Sequence, residues 1–358
     1  MEDLAISLYP NSVPAFVEPE LERLYGHIFS SLALHRIYGG ITDGTSTYRA
    51  TANGELSTIM LFRRQYNQVH VLNEQIEIHE QEIDRFVRYI FTALPSVTVI
   101  TFNAIRASLQ ALAYPHQQFN CTEDIVLELP ATVDAYLGSL GKSTRTNIKY
   151  YMGRLQRDFP SLRHDVYLGQ DVTAEMISDI AALNRARMAT KGKISSIDEQ
   201  EAGRLIELAR THGLVSVITI DGRICAGTIC FQVGANYFAP VSAHDARFDA
   251  YSLGILCWYR TICDCIGRGG KEFHFMWGRY AYKFLLMGVA RDLKRIVIYR
   301  SRLHALTNCG MACGTAIAGY RRKLNLWQQD QARQKETSGM AFRFLHFLRR
   351  LNTMRRRF

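Results

Sequence analysis

The stretch that decides the fold is residues 214–242, LVSVITIDGRICAGTICFQVGANYFAPVS. Its three apolar, β-branched runs are separated by Asp221-Gly222 and by a second turn signal at Gly234. Asp-Gly between such runs favours a two-residue hairpin, because glycine adopts a positive φ without steric cost. The stretch therefore predicts three consecutive strands, at residues 214–220, 224–233 and 237–242.

A helix is predicted soon after the third strand. Apolar residues recur at helical spacing from Ile255 to Ile266, and Gly269 ends the pattern. Ser252 is predicted to be the N-cap, because a serine hydroxyl can accept from a free N–H of the first turn. Those N–H groups attract an anion, and Gly254 lets a ligand approach the backbone closely. The same turn could equally begin a helix that binds nothing.

Other segments extend this pattern in both directions along the chain. Two more strands are predicted at residues 271–277 and 294–299, which gives a mixed sheet. The N-terminal part repeats the order of elements without a glycine-bearing turn, and we expect no cofactor site there. Its predicted elements are strands at 56–63, 68–72 and 97–102 and an amphipathic helix at 79–94.

Three motifs carry a resemblance to a known family. They are Tyr251-Ser252-Leu253-Gly254, GRYAYK from Gly278 to Lys283, and YLGSLGKSTR from Tyr136 to Arg145 with Asn147-Ile148 beyond it. Together they resemble the C-terminal half of GNAT-fold acyltransferases of the CelD-like type, which are relatives of the FemAB-like peptidoglycan aminoacyltransferases. The resemblance covers about residues 125–300. Leu253 departs from the family, which often has proline at that position.

The resemblance implies an α/β fold (an α+β mixed sheet) with two GNAT-like lobes in tandem. Residues 1–124 would form an N-terminal lobe without cofactor, either structural or one wall of an acceptor cleft. Residues 125–302 would form the acyltransferase lobe, and residues 303–358 a basic helical extension.

The resemblance also implies acetyl-CoA, or another acyl-CoA, as the co-substrate. The residues expected to bind it are Phe238, Val241, Tyr251, Ser252 and Gly254. The expected route is direct attack of an amine on the thioester, with a backbone N–H near Phe238–Val241 polarising the carbonyl.

Candidate catalytic residues follow from their positions beside the predicted strands and motifs. His244 and Asp245 are candidate bases after the third strand, and Tyr282 could protonate the leaving thiolate. Arg145, Gly278, Arg279 and Lys283 are expected to contact the acceptor. His244 could instead be an ordinary surface residue, and Tyr282 with Lys283 an amphipathic pair at the start of a helix.

Composition limits the remaining possibilities. The eight cysteines form no Cys-x-x-Cys pair, so we expect reduced thiols, no metal and a cytoplasmic protein. The sequence has no run of 18 apolar residues, so no transmembrane helix is predicted. The acidic N-terminus lacks the features of a signal peptide.

Charge is concentrated at the C-terminus. Residues 320–358 contain 11 Lys/Arg and 2 Asp/Glu, so nine of the ten net positive charges lie there. Within residues 341–358, apolar and basic residues alternate as in a helix that lies on an anionic membrane. A terminal helix docked on the protein body fits the pattern equally well. Nucleic-acid binding is not expected, because the body has neither a recognition motif nor a basic stripe.

Three functions compete at this point. The first is N-acyl transfer from acyl-CoA to an amine, with a sugar or a cell-envelope precursor as the acceptor. The second is FemAB-like transfer of an aminoacyl group from charged tRNA, which a basic helix at residues 143–159 would suit. The third is a non-catalytic GNAT-fold binding protein at the membrane surface, which the departure at Leu253 favours.

Overall fold

Twelve strands form one mixed sheet in the computed structural model, which describes residues 4–328. Their order across the sheet is β1-β2-β3-β4-β5-β12-β6-β11-β10-β9-β8-β7. The strands are β1 (Leu4–Tyr9), β2 (Thr45–Ala52), β3 (Glu55–Gln65), β4 (Gln68–Val71), β5 (Val99–Ile105), β6 (His116–Glu128), β7 (Arg163–Leu168), β8 (Gly213–Ile220), β9 (Arg223–Val233), β10 (Asn236–His244), β11 (Glu272–His274) and β12 (Val289–Tyr299).

The helices connect these strands and pack against the sheet. The α-helices are α1 (Val17–Tyr25), α2 (Leu32–Ile37), α3 (Glu80–Ala93), α4 (Val133–Ser139), α5 (Lys142–Asp158), α6 (Ala174–Thr190), α7 (Glu199–His212), α8 (Leu253–Gly267), α9 (Ala281–Leu285), α10 (Arg302–Thr307) and α11 (309–328, at the end of the described range). Short 3₁₀ turns occur at Ile28–Ser30, Gly169–Asp171 and Ala246–Tyr251. No helix in the described range combines the length and the apolar character needed to cross a bilayer.

The two halves of the sheet have the same order of elements. The run β1, two helices, β2 to β4, α3 and β5 is repeated as β7, two helices, β8 to β10, α8 and β11. In each half the last pair, β4–β5 or β10–β11, is parallel, and the other neighbours within that half are antiparallel. The halves meet through exchanged strands, because β6 pairs with β11 and β12 pairs with β5. The mixed sheet predicted from the sequence is thereby confirmed.

The predicted hairpin is also confirmed. Asp221 and Gly222 both have positive φ, 51° and 75°, as a type I′ turn requires, and Ile220 pairs with Arg223 across it. The predicted boundary at residue 124 lies inside β6, and the three-part division of the chain stays a prediction. The segment 341–358, expected to meet a membrane, lies outside the described residues.

Packing joins the halves into one body. One core layer contains α6 and α7 packed against β8, β9 and β10, and Ile28, from the N-terminal half, is part of it. On the opposite face, α4, α5 and α8 pack around Trp258 and Phe275. All eight cysteines lie within residues 4–328 and are free thiols.

The feature that creates the site is an irregularity in β10. Its pairing with β9 shifts register between Phe238 and Val241, on either side of Pro240, which has no N–H to donate to a ladder. Its parallel pairing with β11 covers three residue pairs and ends at Phe238↔His274. Beyond that pair the two strands diverge, and cavities lie on both faces of the sheet.

Candidate functional site

The first cavity lies where α8 begins, and we call it the α8 pocket. Its volume is about 200 Å³. It combines a helix N-terminus with titratable side chains on one side of the β10–β11 divergence. Its lining residues are Arg187, Ser242, His244, Ser252, Gly254, Ile255, Trp258 and Tyr282.

The turn before α8 differs from the one predicted. Ser252 adopts the left-handed conformation (φ 53°, ψ 36°) and its side chain makes no capping hydrogen bond, so the predicted N-cap is wrong. A capping serine needs extended backbone dihedrals to reach the N–H groups of the first turn. Instead the Ser252 carbonyl accepts from Ile255 and Leu256. The N–H groups of Leu253 and Gly254 precede Ile255, the first residue whose N–H donates to the Ser252 carbonyl, and they point toward the pocket end of the helix.

His244 packs directly against this helix start. A Cβ added at Gly254 would lie 2.5 Å from His244 Nδ1, so the glycine makes room for the imidazole. The other nitrogen, Nε2, lies 2.8 Å from Asp249 Oδ1. Because a carboxylate only accepts, Nε2 carries the proton and Nδ1 has a free lone pair. Burial lowers the pKa of His244, so the ring is neutral at neutral pH.

Tyr282 also lines this pocket. Its ring stacks on Trp258, with 5.6 Å between centroids, and on Tyr280. Burial raises the pKa of Tyr282, which keeps its hydroxyl protonated and able to donate. His244 and Tyr282, a candidate base and a candidate acid, are therefore brought to one cavity.

Asp245 and Tyr251 are held by contacts elsewhere. Both Asp245 oxygens accept hydrogen bonds from Arg247. The Tyr251 hydroxyl donates to Asp158 at the end of α5, and the Arg154 guanidinium lies 4.4 Å from its ring centroid. Neither residue lines the α8 pocket, and Tyr251 fastens α5 to the turn before α8.

The four residues predicted to contact the acceptor are spread over the C-terminal half. Arg145 Nη1 donates to the Gly138 carbonyl and so ties α5 to α4. Gly278 has a φ of 90°, which favours glycine. Arg279 lies 3.7 Å from the buried Glu123 and 3.8 Å from Asp292. The α8 pocket therefore brings none of these three to His244.

Lys283 is buried and lines neither of the two cavities at the β10–β11 divergence. Its Nζ donates to the carbonyls of Phe275, Met276 and Trp277, at 2.7, 3.1 and 2.6 Å. Burial lowers the pKa of Lys283 to about 8. Its three N–H donors are used in holding the loop after β11, in which Met276 has a φ of 60°.

The second cavity lies on the other face of the sheet, beside α7, and we call it the α7 pocket. Its volume is about 200 Å³ and its lining is mainly apolar. Phe238 and Val241, predicted to bind the cofactor, contribute to this pocket together with Pro240 and Trp277. Phe29 and Leu34 contribute from the N-terminal half.

A third cavity continues from it into the N-terminal half, and we call it the N-half groove. It measures about 720 Å³ and shares Phe29 and Leu34 with the α7 pocket. It lies where β4 and β5 diverge, as the β10–β11 cavities do in the other half. Its polar lining includes Arg63, Arg64, His35 and His70, with Glu74 and Asn103.

Two histidines of this groove are held neutral. Burial and the nearby Arg63 lower the pKa of His35 to about 4, and its Nε2 is buried without a hydrogen-bond partner among the described residues. Burial, Arg295 and Arg63 lower the pKa of His70. An anion in the groove would favour protonation of both rings.

A buried cluster of three side chains, His27, Asp124 and His274, connects the two halves of the molecule. Their potential ligand atoms lie within 4.8 Å of one another, which is compatible with a metal site. However, His27 Nδ1 accepts the Phe29 N–H at 3.2 Å, which leaves the ring proton on Nε2, the nitrogen facing Asp124. A protonated nitrogen cannot bind a metal. The geometry favours a charge network, and the expectation of no metal stays a prediction.

Opposite charges hold this network together. Burial alone would lower the pKa of His274, but contacts with Asp124 (2.5 Å) and Glu272 (3.2 Å) outweigh it and raise that pKa. Glu272 is held in turn by Arg291 at 2.7 Å. The Phe238 ring stacks on His274, with 4.3 Å between centroids, so the network supports the point where β10 and β11 separate.

Sequence reasoning missed Arg187 and the buried histidines. Arg187 is on α6, far from the recognised motifs, and reaches the α8 pocket from there. The dense basic residues at the end of α6, which continue as Lys191 and Lys193, were the available signal. His27 carried no signal, because its partners lie about 100 and 250 residues away in the sequence.

Comparisons with known proteins agree with this architecture. Residues 142–284 match the acetyltransferase (GNAT) domain family. A crystal structure of FemX is 9% identical, with 84% of this chain and 99% of that chain covered and a TM-score of 0.60. L-PGS from Bacillus licheniformis is 13% identical, with 87% and 98% covered and a TM-score of 0.50. A conserved protein of unknown function from Bacteroides thetaiotaomicron is 11% identical, with 84% and 100% covered and a TM-score of 0.50. No curated protein matched the sequence.

The family match and the structural matches cover different parts of the chain. At 9–13% identity the solved structures show a shared fold, and that fold runs through both halves of this chain. The family match is confined to the part that contains α5 to α9 and the α8 pocket. Residues 142–284 therefore match a GNAT acetyltransferase domain, and the chain as a whole shares the fold of FemX.

Proposed function

We propose that the protein transfers an acetyl group, or another acyl group, from acyl-CoA to an amine. The observation that supports this most is that the start of α8, His244 and Tyr282 share one pocket at the β10–β11 divergence. A phosphate-binding helix end, a base and an acid are the groups that direct acyl transfer from a thioester needs.

The donor would lie with its pyrophosphate at the start of α8. The N–H groups of Leu253 and Gly254 and the helix dipole favour an anion there. Arg187 adds a full positive charge in the same pocket, and Lys191 is near enough to interact with it electrostatically. The pantetheine arm would then run into the divergence, toward the irregularity at Pro240.

The reaction assigned to this pocket balances without a further co-reactant. His244 Nδ1 lies at the start of α8, so it would take the proton of the amine through intervening water, while the amine nitrogen forms a bond to the acyl carbon. The C–S bond breaks, and Tyr282 would protonate the departing thiolate. Pro240 has no N–H, so a main-chain donor to the developing oxyanion must come from Ala239 or Val241 in the irregular part of β10.

The acceptor would occupy the α7 pocket and the N-half groove. The apolar lining of the pocket suits a hydrocarbon or sugar-ring face, and Arg63, His35 and His70 suit an anionic group. We therefore propose an amine that also bears a phosphate or carboxylate, such as a sugar phosphate or an envelope precursor.

Arg63→Gln is expected to raise the acceptor KM about tenfold, since a charge-assisted contact contributes about 1.5 kcal/mol. Arg36→Gln, on the surface, should leave the KM unchanged, and equal effects of both variants would contradict this acceptor site.

A matched pair of variants tests the donor. Aspartate and asparagine both tolerate the left-handed conformation at Ser252, but only aspartate places a negative charge beside the proposed pyrophosphate. In calorimetric titrations with acetyl-CoA and CoA, Ser252→Asp should weaken binding at least tenfold, and Ser252→Asn should bind within about threefold of wild type. Equal affinity of both variants, or no binding by folded wild-type protein, would contradict the proposal.

Charged tRNA is a second candidate donor. The likeness to FemX along 84% of this chain favours it, because that likeness covers both halves and not the matched domain alone. Aminoacyl-tRNA binding that weakens steeply with salt, together with absent acetyl-CoA binding, would support this alternative.

A further inference from the structure

The last two helices of the described range, α10 and α11, have an inner face that is fixed on the sheet. Ala305, Met311 and Ala312 pack against Val99, Val297 and Tyr299 of the N-terminal half. Gly319 lies against Phe119, and Arg322 pairs with the buried Glu123. These contacts set the rotation of α10 and α11 about their axes, and so decide which side chains face outward.

The outward side chains form an apolar stripe. Spacings of three, four and seven residues bring them onto one side of the helices, opposite the packed face. Each is between 41% and 71% exposed, although large apolar side chains are usually covered. We call this surface the outer stripe: Leu303, Leu306, Ile317, Tyr320, Leu324 and Trp327.

Charge around the outer stripe has one sign. Residues 302–328 contain four Lys/Arg and no Asp or Glu. Arg321 and Lys323 are exposed on α11, beside the stripe residues Tyr320 and Leu324. The 30 residues that follow, 329–358, add eight Lys/Arg and two acidic residues. An apolar stripe with basic flanks and amphipathic Tyr and Trp side chains has the composition of a helix that lies in a membrane interface.

We propose that the outer stripe binds the surface of an anionic lipid bilayer, with α11 lying in the plane of the headgroups. The apolar side chains would enter the headgroup–acyl boundary, while Arg321 and Lys323 contact lipid phosphates. A second copy of the chain is the less favourable occupant, because stripe-to-stripe pairing brings two acid-free, basic surfaces together. The inference is independent of the donor and of the acceptor proposed above.

Vesicle binding tests it with matched variants. Ile317→Ser/Leu324→Ser removes two stripe residues, while Tyr66→Ser/Ile194→Ser removes two apolar side chains elsewhere that are even more exposed. In sedimentation with vesicles containing phosphatidylglycerol, the stripe variant should partition at least tenfold more weakly than wild type. The control should match wild type, and vesicles of phosphatidylcholine alone should bind less of both proteins.

Other outcomes would overturn the proposal. Wild-type protein that ignores anionic vesicles, or a stripe variant that binds as wild type does, shows that the outer stripe is not a membrane surface. A dimer in light scattering that the stripe variant converts to monomer, without a change in vesicle binding, assigns the stripe to a second copy of the chain.

Discussion

His244 shows how one side chain can be prepared for proton transfer by its neighbours. Asp249 fixes the proton on Nε2, Gly254 leaves room for Nδ1, and burial lowers the ring pKa. A base with a lowered pKa is deprotonated at neutral pH and loses activity only in acid. His244 can be proposed from the sequence because it follows a strand. The role of Gly254 cannot, because it depends on a contact between residues of two different elements.

The acid limb of the pH profile reports on His244. His244→Gln is expected to lower kcat/KM about 100-fold or more, since it removes the base. Asp249 favours the protonated ring, so Asp249→Asn should lower the pKa of His244 further and move the acid limb to lower pH. Rates measured from pH 5 to 9 check this, and an acid limb that does not move in Asp249→Asn would contradict the assignment.

Lys283 is predicted to stabilise the folded protein through its hydrogen bonds to the loop after β11. Lys283→Met leaves three main-chain carbonyls without their donor and should lower the free energy of unfolding by about 2–4 kcal/mol. The exposed Lys149→Met serves as the control and should change it by less than about 0.5 kcal/mol. Urea unfolding measures both, and a stable Lys283→Met protein that has lost only acceptor affinity would return Lys283 to the substrate-binding role expected from the sequence.

The sequence predicts helix α8 well, but it does not predict the first turn of that helix. Apolar periodicity and Gly269 placed the helix, because those signals are local. The left-handed Ser252 escaped prediction, since it is set by the preceding 3₁₀ turn and by the burial of Leu253. The irregularity of β10 at Pro240 was likewise not predicted, although proline in a central strand is a recognised signal for one.

Two glycines of α8 give opposite predictions. Gly254→Ala forces the His244 ring to move, which should lower kcat more than acetyl-CoA affinity and cost about 1–3 kcal/mol of stability. A Cβ at Gly267 meets nothing within 4 Å, so Gly267→Ala should be neutral or more stable by up to about 1 kcal/mol. Thermal unfolding and kinetics of both variants check this, and full activity of Gly254→Ala would show that the ring position is unimportant.

The two halves of the molecule are joined by exchanged strands and by the network of His27, Asp124 and His274. Order of elements allowed two similar halves to be predicted from the sequence, with the cofactor in the second. The exchange of β6 and β12 could not be predicted, because each strand pairs with residues more than 100 positions away. The contact of His27 with Asp124 and His274 could not be predicted for the same reason.

The network should stabilise the whole molecule in a pH-dependent way. Removal of the Asp124 charge in Asp124→Asn is expected to cost about 3 kcal/mol near pH 6, where His274 is protonated. Because the folded-state pKa of His274 is raised, its ion pair is fully present below the unfolded value of about 6.5 and is lost as pH rises through the folded value. The destabilisation should therefore shrink at pH 9. Urea unfolding at both pH values measures it, with the exposed Asp292→Asn as the control, and a constant difference would contradict the ion pair.

Amide hydrogen exchange with and without saturating acetyl-CoA tests the central claim most directly, because it locates the donor. We predict slower exchange at residues 251–256, where α8 begins, and around Arg187, with little change in β4 and β5. Protection confined to the N-terminal half, or no protection at a concentration that saturates binding, would contradict a donor site at the start of α8.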